Sequence, residues 1–204
     1  MIRYFLFFVL FFALLETGHG LTCRECSTSS GAFCKGRSHK CPSVSTSCMK
    51  RVSITKIGDK LFESFSRGCN DDEDLCNKDF IMNSGAGNEQ IRVVTECCYQ
   101  DNCNKCKTKI PPYNNTRNHI ICPVCYKYET YECKHKGYIE CRGHENECFD
   151  FAATVLRKGH SSMKYAKMGC TTSRGCSLGH KIIPGISLTD IHHVYCKAGV
   201  PITH

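Results

Sequence analysis

The chain has 204 residues, of which 19 are cysteine and none is tryptophan, and its formal net charge is +8. That many thiols would mispair in a reducing cytosol, so the composition indicates an oxidising compartment and a disulfide-rich scaffold. Hydrophobic residues make up 41% and charged residues 23%, which argues against an intrinsically disordered chain. Because 19 is an odd number, at least one cysteine lacks an intramolecular partner.

The N-terminus is predicted to be a secretory signal peptide over residues 1–20. A short positive start precedes Tyr4–Leu15, an unbroken apolar run of 12 residues, and small residues suit cleavage after Gly20. A transmembrane helix needs about 20 apolar residues, more than this run supplies. The last residues, 197–204, lack the hydrophobic tail of a glycolipid-anchor signal. We therefore expect a secreted, extracellular protein without a stable membrane anchor.

The cysteine spacing repeats along the chain, which indicates an internal duplication. Successive gaps are 3, 8, 7, 7, 21, 7 and 21 residues in the first half and 3, 8, 8, 7, 22, 6 and 20 in the second. The spacing predicts one domain over residues 21–106 and a second over residues 122–204. The first has ten cysteines in the pattern and the second has eight.

Residues 107–121 are predicted to link the two domains. Pro111-Pro112 and an asparagine-rich stretch are typical of a linker. Asn114-Asn115-Thr116 is the only N-x-Ser/Thr sequon in the chain. Exposure on a linker would suit glycosylation of Asn114.

The long gaps between cysteines predict β-hairpins. The residues between Cys48 and Cys69 form two β-prone runs around Gly58-Asp59, which is a hairpin signal. The other three long gaps follow the same plan, with turns expected in residues 83–88, near Lys158-Gly159 and near Pro184-Gly185. With no convincing amphipathic helix, the prediction is a small all-β, disulfide-rich fold. Disulfides would substitute for the limited core of each domain.

The segment Cys97–Asn104 (CCYQDNCN) is similar to the closing signature of the lymphocyte-antigen-6/urokinase-receptor family, and the Cys23-x-x-Cys26 opening fits the same pattern. The resemblance implies two tandem three-finger, snake-toxin-like domains. It also implies a pairing that spacing alone could not choose. The implied disulfides are Cys23–Cys48, Cys26–Cys34, Cys41–Cys69, Cys76–Cys97, Cys98–Cys103, Cys122–Cys148, Cys125–Cys133, Cys141–Cys170 and Cys176–Cys196.

The second domain departs from the family pattern because Cys196 is followed by Lys197, so the last cysteine pair is missing. A secreted pair of such domains, with the second one truncated, resembles the gamma-type phospholipase A2 inhibitors. The likeness lies in Cys141–Cys148, Gly169–Cys176 and Tyr195–Ala198. The salamander courtship-pheromone precursors look similar too, so the scaffold does not fix the partner.

Metal binding and catalysis are the weaker interpretations of the same residues. The CxxC pairs could suggest zinc, but a structural zinc site needs four converging ligands, and the disulfide repeat accounts for each opening pair. His192-His193 are expected to lie on a strand and face opposite sides. Nucleophilic catalysis by cysteine needs a free, activated thiolate. We expect no enzyme activity, no cofactor and no bound metal.

Two charged groups are candidates for partner binding, although ordinary solvated surface is an equally good interpretation. The second half of the chain is the more basic, with 14 Lys/Arg against 7 Asp/Glu from residue 107 onwards. Its expected finger tips would attract acidic proteins, sulfated sugars or anionic lipid. Exposed apolar residues would matter more for affinity, because charge mainly steers encounter. The basic candidates are Lys134, Lys136, Arg157, Lys158 and Lys181; the acidic ones are Asp71, Asp72, Glu73 and Asp74; the apolar ones are Ile57, Leu61, Phe62, Met82 and Ile183.

The function expected from the sequence is stoichiometric inhibition of a secreted phospholipase A2 by a non-enzymatic protein-binding module. One alternative is a secreted signalling or pheromone-like ligand for a membrane receptor, and a weaker one is an anionic glycan or membrane-surface binder. No nucleic-acid partner is expected. Cys106 is left over by both repeats, and an exposed thiol there would allow a disulfide-linked homo-oligomer, capping by a small thiol, or exchange with Cys98–Cys103. A non-covalent oligomer is the remaining option.

Overall fold

In a computed structural model, the chain is described over residues 20–85, 89–157, 161–177 and 186–202. The described residues form thirteen β-strands and two 3₁₀ turns, Glu73–Leu75 and Cys103–Lys105. The predicted all-β class is therefore confirmed. Except for Gly20, the predicted signal peptide lies outside the described residues.

The first domain forms three fingers from six strands. The central finger is the hairpin β3–β4, which pairs over its full length from Ser47↔Asn70 to Ile57↔Lys60 and turns at Gly58-Asp59 as the sequence predicts. Gly58 has a φ of 57°, a left-handed conformation that costs glycine little. The strands are β1 (Thr22–Thr28), β2 (Arg37–Lys40), β3 (Ser47–Ile57), β4 (Lys60–Asn70), β5 (Asp79–Asn83) and β6 (Glu89–Cys98).

The second domain repeats this plan with β10–β11 as its central finger. The turn predicted near Lys158-Gly159 and the outward half of the third finger, with Pro184-Gly185, lie outside the described residues. The first strand, β7, begins at Arg117, inside the segment expected to be linker, because it pairs with β9. The strands are β7 (Arg117–Pro123), β8 (Cys125–Tyr128), β9 (Tyr138–Arg142), β10 (Glu147–Arg157), β11 (Met163–Thr171), β12 (Ile186–Ala198) and β13 (Val200–Pro201).

Nine disulfides cross-link the strands and loops of the two domains. They join the same pairs of cysteines that the family resemblance implies, five in the first domain and four in the second. In each domain, buried cysteines form a compact sulfur cluster of their own, around Cys23 in the first and Cys122 in the second. The architecture is two tandem three-finger domains.

The two domains share one ten-stranded sheet. Its order is β12-β10-β11-β5-β6-β3-β4-β1-β2, with β8 also paired to β11, and β13-β7-β9 forms a separate three-stranded sheet. The junction is the pairing of β11 with β5, through Cys170↔Asn83 and Thr171↔Met82. Each domain thus covers an exposed strand edge of the other.

Side chains reinforce this junction. The Thr171 hydroxyl donates to the Ile81 carbonyl at 2.7 Å, and the Thr172 hydroxyl accepts from the Ile81 amide at 3.1 Å. Met82, from the first domain, packs in the core of the second with Phe149 and Phe151. Hydrogen bonds and apolar packing therefore both hold the two domains together.

A buried ion pair crosses the same junction. Lys167 Nζ on β11 lies 2.8 Å from Glu89 Oε2 on β6, and both side chains are almost fully buried. The Lys167 ammonium also lies 5.5 Å from the ring centroid of Phe151 and 5.3 Å from that of Tyr165. The desolvation of these two charges is thus offset by their mutual attraction and by aromatic faces.

Candidate functional site

A largely apolar groove of about 430 Å³ lies at the domain junction. We call it the tyrosine groove, because three tyrosines form one wall. Both domains contribute to it, so the groove depends on the pairing of β5 with β11. Its lining residues are Ile57, Tyr126, Tyr128, Glu129, Val155, Ser161, Met163 and Tyr165.

The strand register places the three tyrosines together. Tyr126 and Tyr128 are two residues apart on β8, so their side chains share one face of the strand. Tyr165 on β11 is the cross-strand partner of Tyr128. The Tyr126 and Tyr128 rings meet edge to face with centroids 5.0 Å apart, and their hydroxyls lie 2.7 Å apart. Such contacts hold the rings in fixed orientations.

The groove combines exposed apolar area with neutral hydroxyl groups. Tyr128 is 50% exposed and Met163 is 44% exposed, whereas Tyr165 is buried. Burial, with the nearby Glu89 carboxylate as the next cause, raises the pKa of the Tyr126 hydroxyl well above its usual range. The phenol therefore stays protonated and able to donate a hydrogen bond. Rigid aromatic rings with a polar edge are typical of protein-binding hot spots.

The central finger of the first domain extends this apolar surface at its tip. Ile57, the last residue of β3, lines the groove. Leu61 and Phe62 follow on β4, and they are 60% and 51% exposed. Phe62, the cross-strand partner of Thr55, shares the face of Ile57, whereas Leu61 points to the opposite face. Two of the apolar candidates from the sequence are therefore on the surface, but Met82 is buried in the interdomain core and is not available to a partner. Ile183 lies outside the described residues.

A second, more polar cleft of about 700 Å³ lies between the domains and the linker. Tyr113 and Asn115 of the linker line it together with Asn83 of β5 and Arg142 of β9. The Arg142 guanidinium donates to the Asn115 carbonyl at 3.1 Å. The linker is therefore packed against the second domain along this cleft.

The acidic run is largely occupied by contacts within the chain. Arg174 of the second domain makes a two-pronged ion pair with Asp74, at 2.9 and 2.8 Å, which lowers the pKa of that carboxyl. Hydrogen bonds from Thr46 and then Tyr99 lower the pKa of Glu73. The remaining acidic candidates are Asp72, which caps the 3₁₀ turn through the Asp74 amide, and Asp71, which is exposed.

The basic candidates are described only in part. Lys134 and Lys136 are exposed on the connection between β8 and β9. For Arg157 the backbone alone is described, and Lys158 and Lys181 lie outside the described residues. A shared basic patch across the three finger tips therefore stays a prediction.

Cys106 and Asn114 both lie on the surface of the connection between the domains. Cys106 is the free cysteine of the described residues and is exposed, directly after the 3₁₀ turn Cys103–Lys105. Asn114 is also exposed, and its side-chain oxygen accepts from the Thr116 amide at 3.0 Å. Both positions are accessible to modification from solvent.

The closest groupings of candidate metal ligands are made of paired cysteines. Within the described ranges, two sets of three metal-ligand types converge: Cys23 with Cys41 and Cys69, and Cys122 with Cys141 and Cys170. All six sulfurs belong to disulfides. Metal binding by cysteine needs a thiolate, so these sets mark neighbouring disulfides.

The two adjacent histidines are placed differently from the sequence expectation. On β12, Ala152 pairs with His193 and Ala153 pairs with Ile191, so His192 is the extra residue of a β-bulge. The two rings are in contact, with Nδ1 atoms 3.1 Å apart. The expectation that they face opposite sides is wrong, because the bulge interrupts the strict alternation of strand side chains.

Comparison with known proteins places the chain in a family. The sequence model of the u-PAR/Ly-6 domain matches residues 19–106 and 118–199, so the chain belongs to the u-PAR/Ly-6 domain family. Members of this family are in general non-enzymatic proteins of the extracellular space or cell surface that bind other proteins. The chain is accordingly an extracellular protein-binding module.

Two individual proteins are similar to it. Protein RoBo-1 of Rattus norvegicus is 27% identical over 117 residues, which are 57% of this chain and 46% of that protein, so the match spans about half of the relative's length. The crystal structure of mouse TEX101 matches at 14% identity with a TM-score of 0.37, covering 87% of this chain and 99% of that chain. In the described ranges, no helix has the length and apolar character to cross a membrane.

The sequence reasoning missed the tyrosine groove. The signal was present in Cys125-Tyr-Lys-Tyr128, where tyrosines alternate at the two-residue period of a strand. Which face of β8 would be covered, and by which domain, depends on the pairing of β11 with β5. That pairing brings residues more than 80 positions apart together, and no local pattern encodes it.

Proposed function

We propose that this protein is secreted and inhibits a secreted phospholipase A2 by binding it stoichiometrically. Membership in a family of extracellular protein binders supports the binding role. The truncated second domain and the segments around Cys141–Cys148 and Gly169–Cys176, which resemble the gamma-type phospholipase A2 inhibitors, support this choice of enzyme class.

The tyrosine groove is the observation that carries the proposal. An enzyme that acts on aggregated lipid must present an apolar face to the lipid surface. The groove and the adjacent finger tip offer a matching apolar surface, through Tyr128, Met163 and Phe62. Aromatic and methionine side chains are enriched in protein interfaces, whereas charged residues are depleted at interface cores.

The inhibition requires no catalytic group on this chain. A typical stable interface buries about 1,600 Å² in total, which is more than a single finger can cover. Two domains joined through β5 and β11 present several fingers in one fixed arrangement. Covering the interfacial face of the enzyme would keep it from the lipid surface while leaving its catalytic residues intact.

The test is to titrate the purified protein into phospholipase A2 assays and measure binding in parallel. We expect inhibition on micelles that is complete near one equivalent. Monomeric short-chain substrate should still be hydrolysed, since only the approach to the interface is blocked. The absence of binding to both acidic and basic phospholipase A2 isoforms would overturn the proposal.

Matched substitutions locate the binding surface. Tyr128→Ser and Met163→Ser remove exposed apolar area from the tyrosine groove and should weaken binding at least tenfold each. Val44→Ser is the control, because Val44 is 68% exposed but far from the groove. It precedes the first residue of β3, and Ile57 lies at the other end of that strand, about 35 Å away. Equal loss of affinity in the control would show that the groove is not the contact surface.

A further inference from the structure

The bulge on β12 creates an arrangement of imidazoles that ordinary strand geometry does not allow. In a regular strand, neighbouring side chains point to opposite faces. Here the extra residue, His192, turns its ring towards that of His193, and the Nδ1 atoms face each other at 3.1 Å. Bulges are known to redirect a side chain in this way, often beside functional sites.

This spacing fits two ligands of one metal ion. With metal–nitrogen bonds of about 2.05 Å, two nitrogens on a tetrahedral ion lie about 3.3 Å apart, and two at a right angle lie about 2.9 Å apart. The observed 3.1 Å falls between these values. Binding would therefore not require the two nitrogens to move apart, but each ring would have to rotate to direct its Nδ1 lone pair at the ion.

The Asp150 carboxylate is placed to favour the tautomer of His193 that metal binding requires. His193 Nε2 lies 2.9 Å from Asp150 Oδ1 on the neighbouring strand β10. When Nε2–H donates to this carboxylate, Nδ1 carries the free lone pair. An outer carboxylate of this kind orients the ring of a histidine ligand. His193 also stacks on Tyr195, with ring centroids 5.4 Å apart.

The first imidazole is held by stacking. The His192 ring lies parallel to that of Tyr131, with centroids 5.0 Å apart and planes 18° apart. Tyr131 is fixed in turn, because its hydroxyl donates to Asp190 Oδ2 at 2.8 Å. In the described part of the chain, no third ligand (a carboxylate, a cysteine or another histidine) converges with His192 and His193. Water would therefore complete the coordination of any bound ion.

We propose that His192 and His193 bind one divalent transition-metal ion through their Nδ1 atoms, with Asp150 as the positioning residue. Imidazole suits Cu²⁺ and Zn²⁺, and Cu²⁺ binds the tighter of the two by the usual order of divalent ions. Binding requires His192 Nδ1 to be unprotonated, so a proton carried there would move to Nε2 of the same ring. No net oxidation or reduction is involved.

The test is isothermal titration calorimetry of CuCl₂ and of ZnCl₂ into the full mature chain. Cys106→Ser serves as the background, because a free thiol is a competing ligand. We expect one equivalent of either ion, with Cu²⁺ the tighter. His192→Gln and His193→Gln should each weaken binding at least tenfold, and Asp150→Asn about tenfold, as removal of an outer carboxylate does.

Two exposed histidines elsewhere, His39 and His144, provide the controls, and their glutamine variants should bind as the parent does. Equal binding by the double variant His192→Gln/His193→Gln would overturn the proposal, as would no binding by the parent chain. If a glutamine variant fails to fold, the proposal can be tested on the native chain by nuclear magnetic resonance of its histidine rings. Zn²⁺ should then shift the ring signals of two histidines, and a shift of all or of none contradicts the site.

Discussion

Lys167 Nζ lies 2.8 Å from Glu89 Oε2, and this ion pair joins the two domains from within their shared core. The two residues are 78 positions apart in sequence. Because water is excluded from both side chains, removing either charge would leave the other buried without its ionic partner, at a high cost in stability.

Removing one partner of this pair should be strongly destabilising. Lys167→Met leaves the Glu89 carboxylate buried without its ammonium, and we expect a loss of about 3–5 kcal/mol in the free energy of unfolding. Denaturation by guanidinium with the disulfides intact measures it.

The double variant Glu89→Leu/Lys167→Met should lose less than Lys167→Met alone, since no lone charge remains. Asp74→Asn, which breaks the exposed interdomain pair with Arg174, is the control and should change stability little. A double variant less stable than the single one would contradict this account of the pair.

Gly169 should not tolerate a side chain. A Cβ there would lie 1.9 Å from the Asn83 carbonyl oxygen, across the pairing of β11 with β5. We expect Gly169→Ala to cost about 1–3 kcal/mol, because backbone must move to admit the methyl group. Thermal unfolding measures the cost.

The duplication supplies the matched control. Gly68 holds the equivalent position before Cys69, and a Cβ there meets nothing nearer than Glu25 Cγ at 3.9 Å. Gly68→Ala should therefore be far milder. Similar effects in the two variants would mean that the β5–β11 contact is not what constrains Gly169.

Stability should depend on pH through Glu145. Burial raises the pKa of this fully buried carboxyl above its ordinary value of 4.5, against opposing hydrogen bonds from the Arg142 amide and the Tyr113 hydroxyl. The folded state therefore holds the proton more tightly than the unfolded chain does. The resulting stabilisation is present below pH 4.5 and is lost as the pH rises through the raised folded value.

Glu145→Gln cannot ionise, so its free energy of unfolding relative to the parent should rise between pH 4 and pH 7. Tyr113→Phe removes a hydrogen bond that favours the ionised form, and it should enlarge the pH dependence of the parent. Urea unfolding over a pH series measures both. A difference between Glu145→Gln and the parent that does not change with pH would rule out this role for Glu145.

Cys106 should control covalent association. Its thiol is exposed and unpaired, so we expect a disulfide-linked dimer, or a mixed disulfide with a small thiol, in protein recovered from an oxidising medium. Non-reducing gels and intact mass distinguish these two products. Cys106→Ser should run as a monomer of the calculated mass, and a covalent dimer that persists in this variant would exclude the assignment.

Asn114 should carry an N-linked glycan when the protein is secreted from eukaryotic cells. The side chain is exposed and its sequon is accessible on the packed linker. Treatment with an amidase that removes N-glycans should lower the mass of the parent and leave Asn114→Gln unchanged. An unchanged parent mass would show that the site is unused.

The local structure of this protein follows from sequence more closely than its assembly does. The β3–β4 hairpin is predictable because Gly58-Asp59 lies between β-prone runs and the disulfide spacing fixes its base. Glu89 and Lys167, by contrast, look like ordinary surface charges in sequence. Only the pairing of β5 with β11 explains their burial.

The surface features also differ in how far the sequence predicts them. Leu61 and Phe62 are recognisable as residues near a finger tip because they follow the predicted turn. The contact between His192 and His193 is not recognisable, since a bulge depends on the partner strand β10 and leaves no mark in the alternation of residues on β12.

The pairing of β11 with β5 also bears on how the chain can be divided. Residues 21–106 produced alone would expose the outer edge of β5 together with Met82, an unpaired strand edge beside an apolar side chain. Such an edge is a template for adding strands from other chains. Separated halves of this protein should therefore tend to self-associate. In the intact chain, each domain covers the strand edge that the other would leave unpaired.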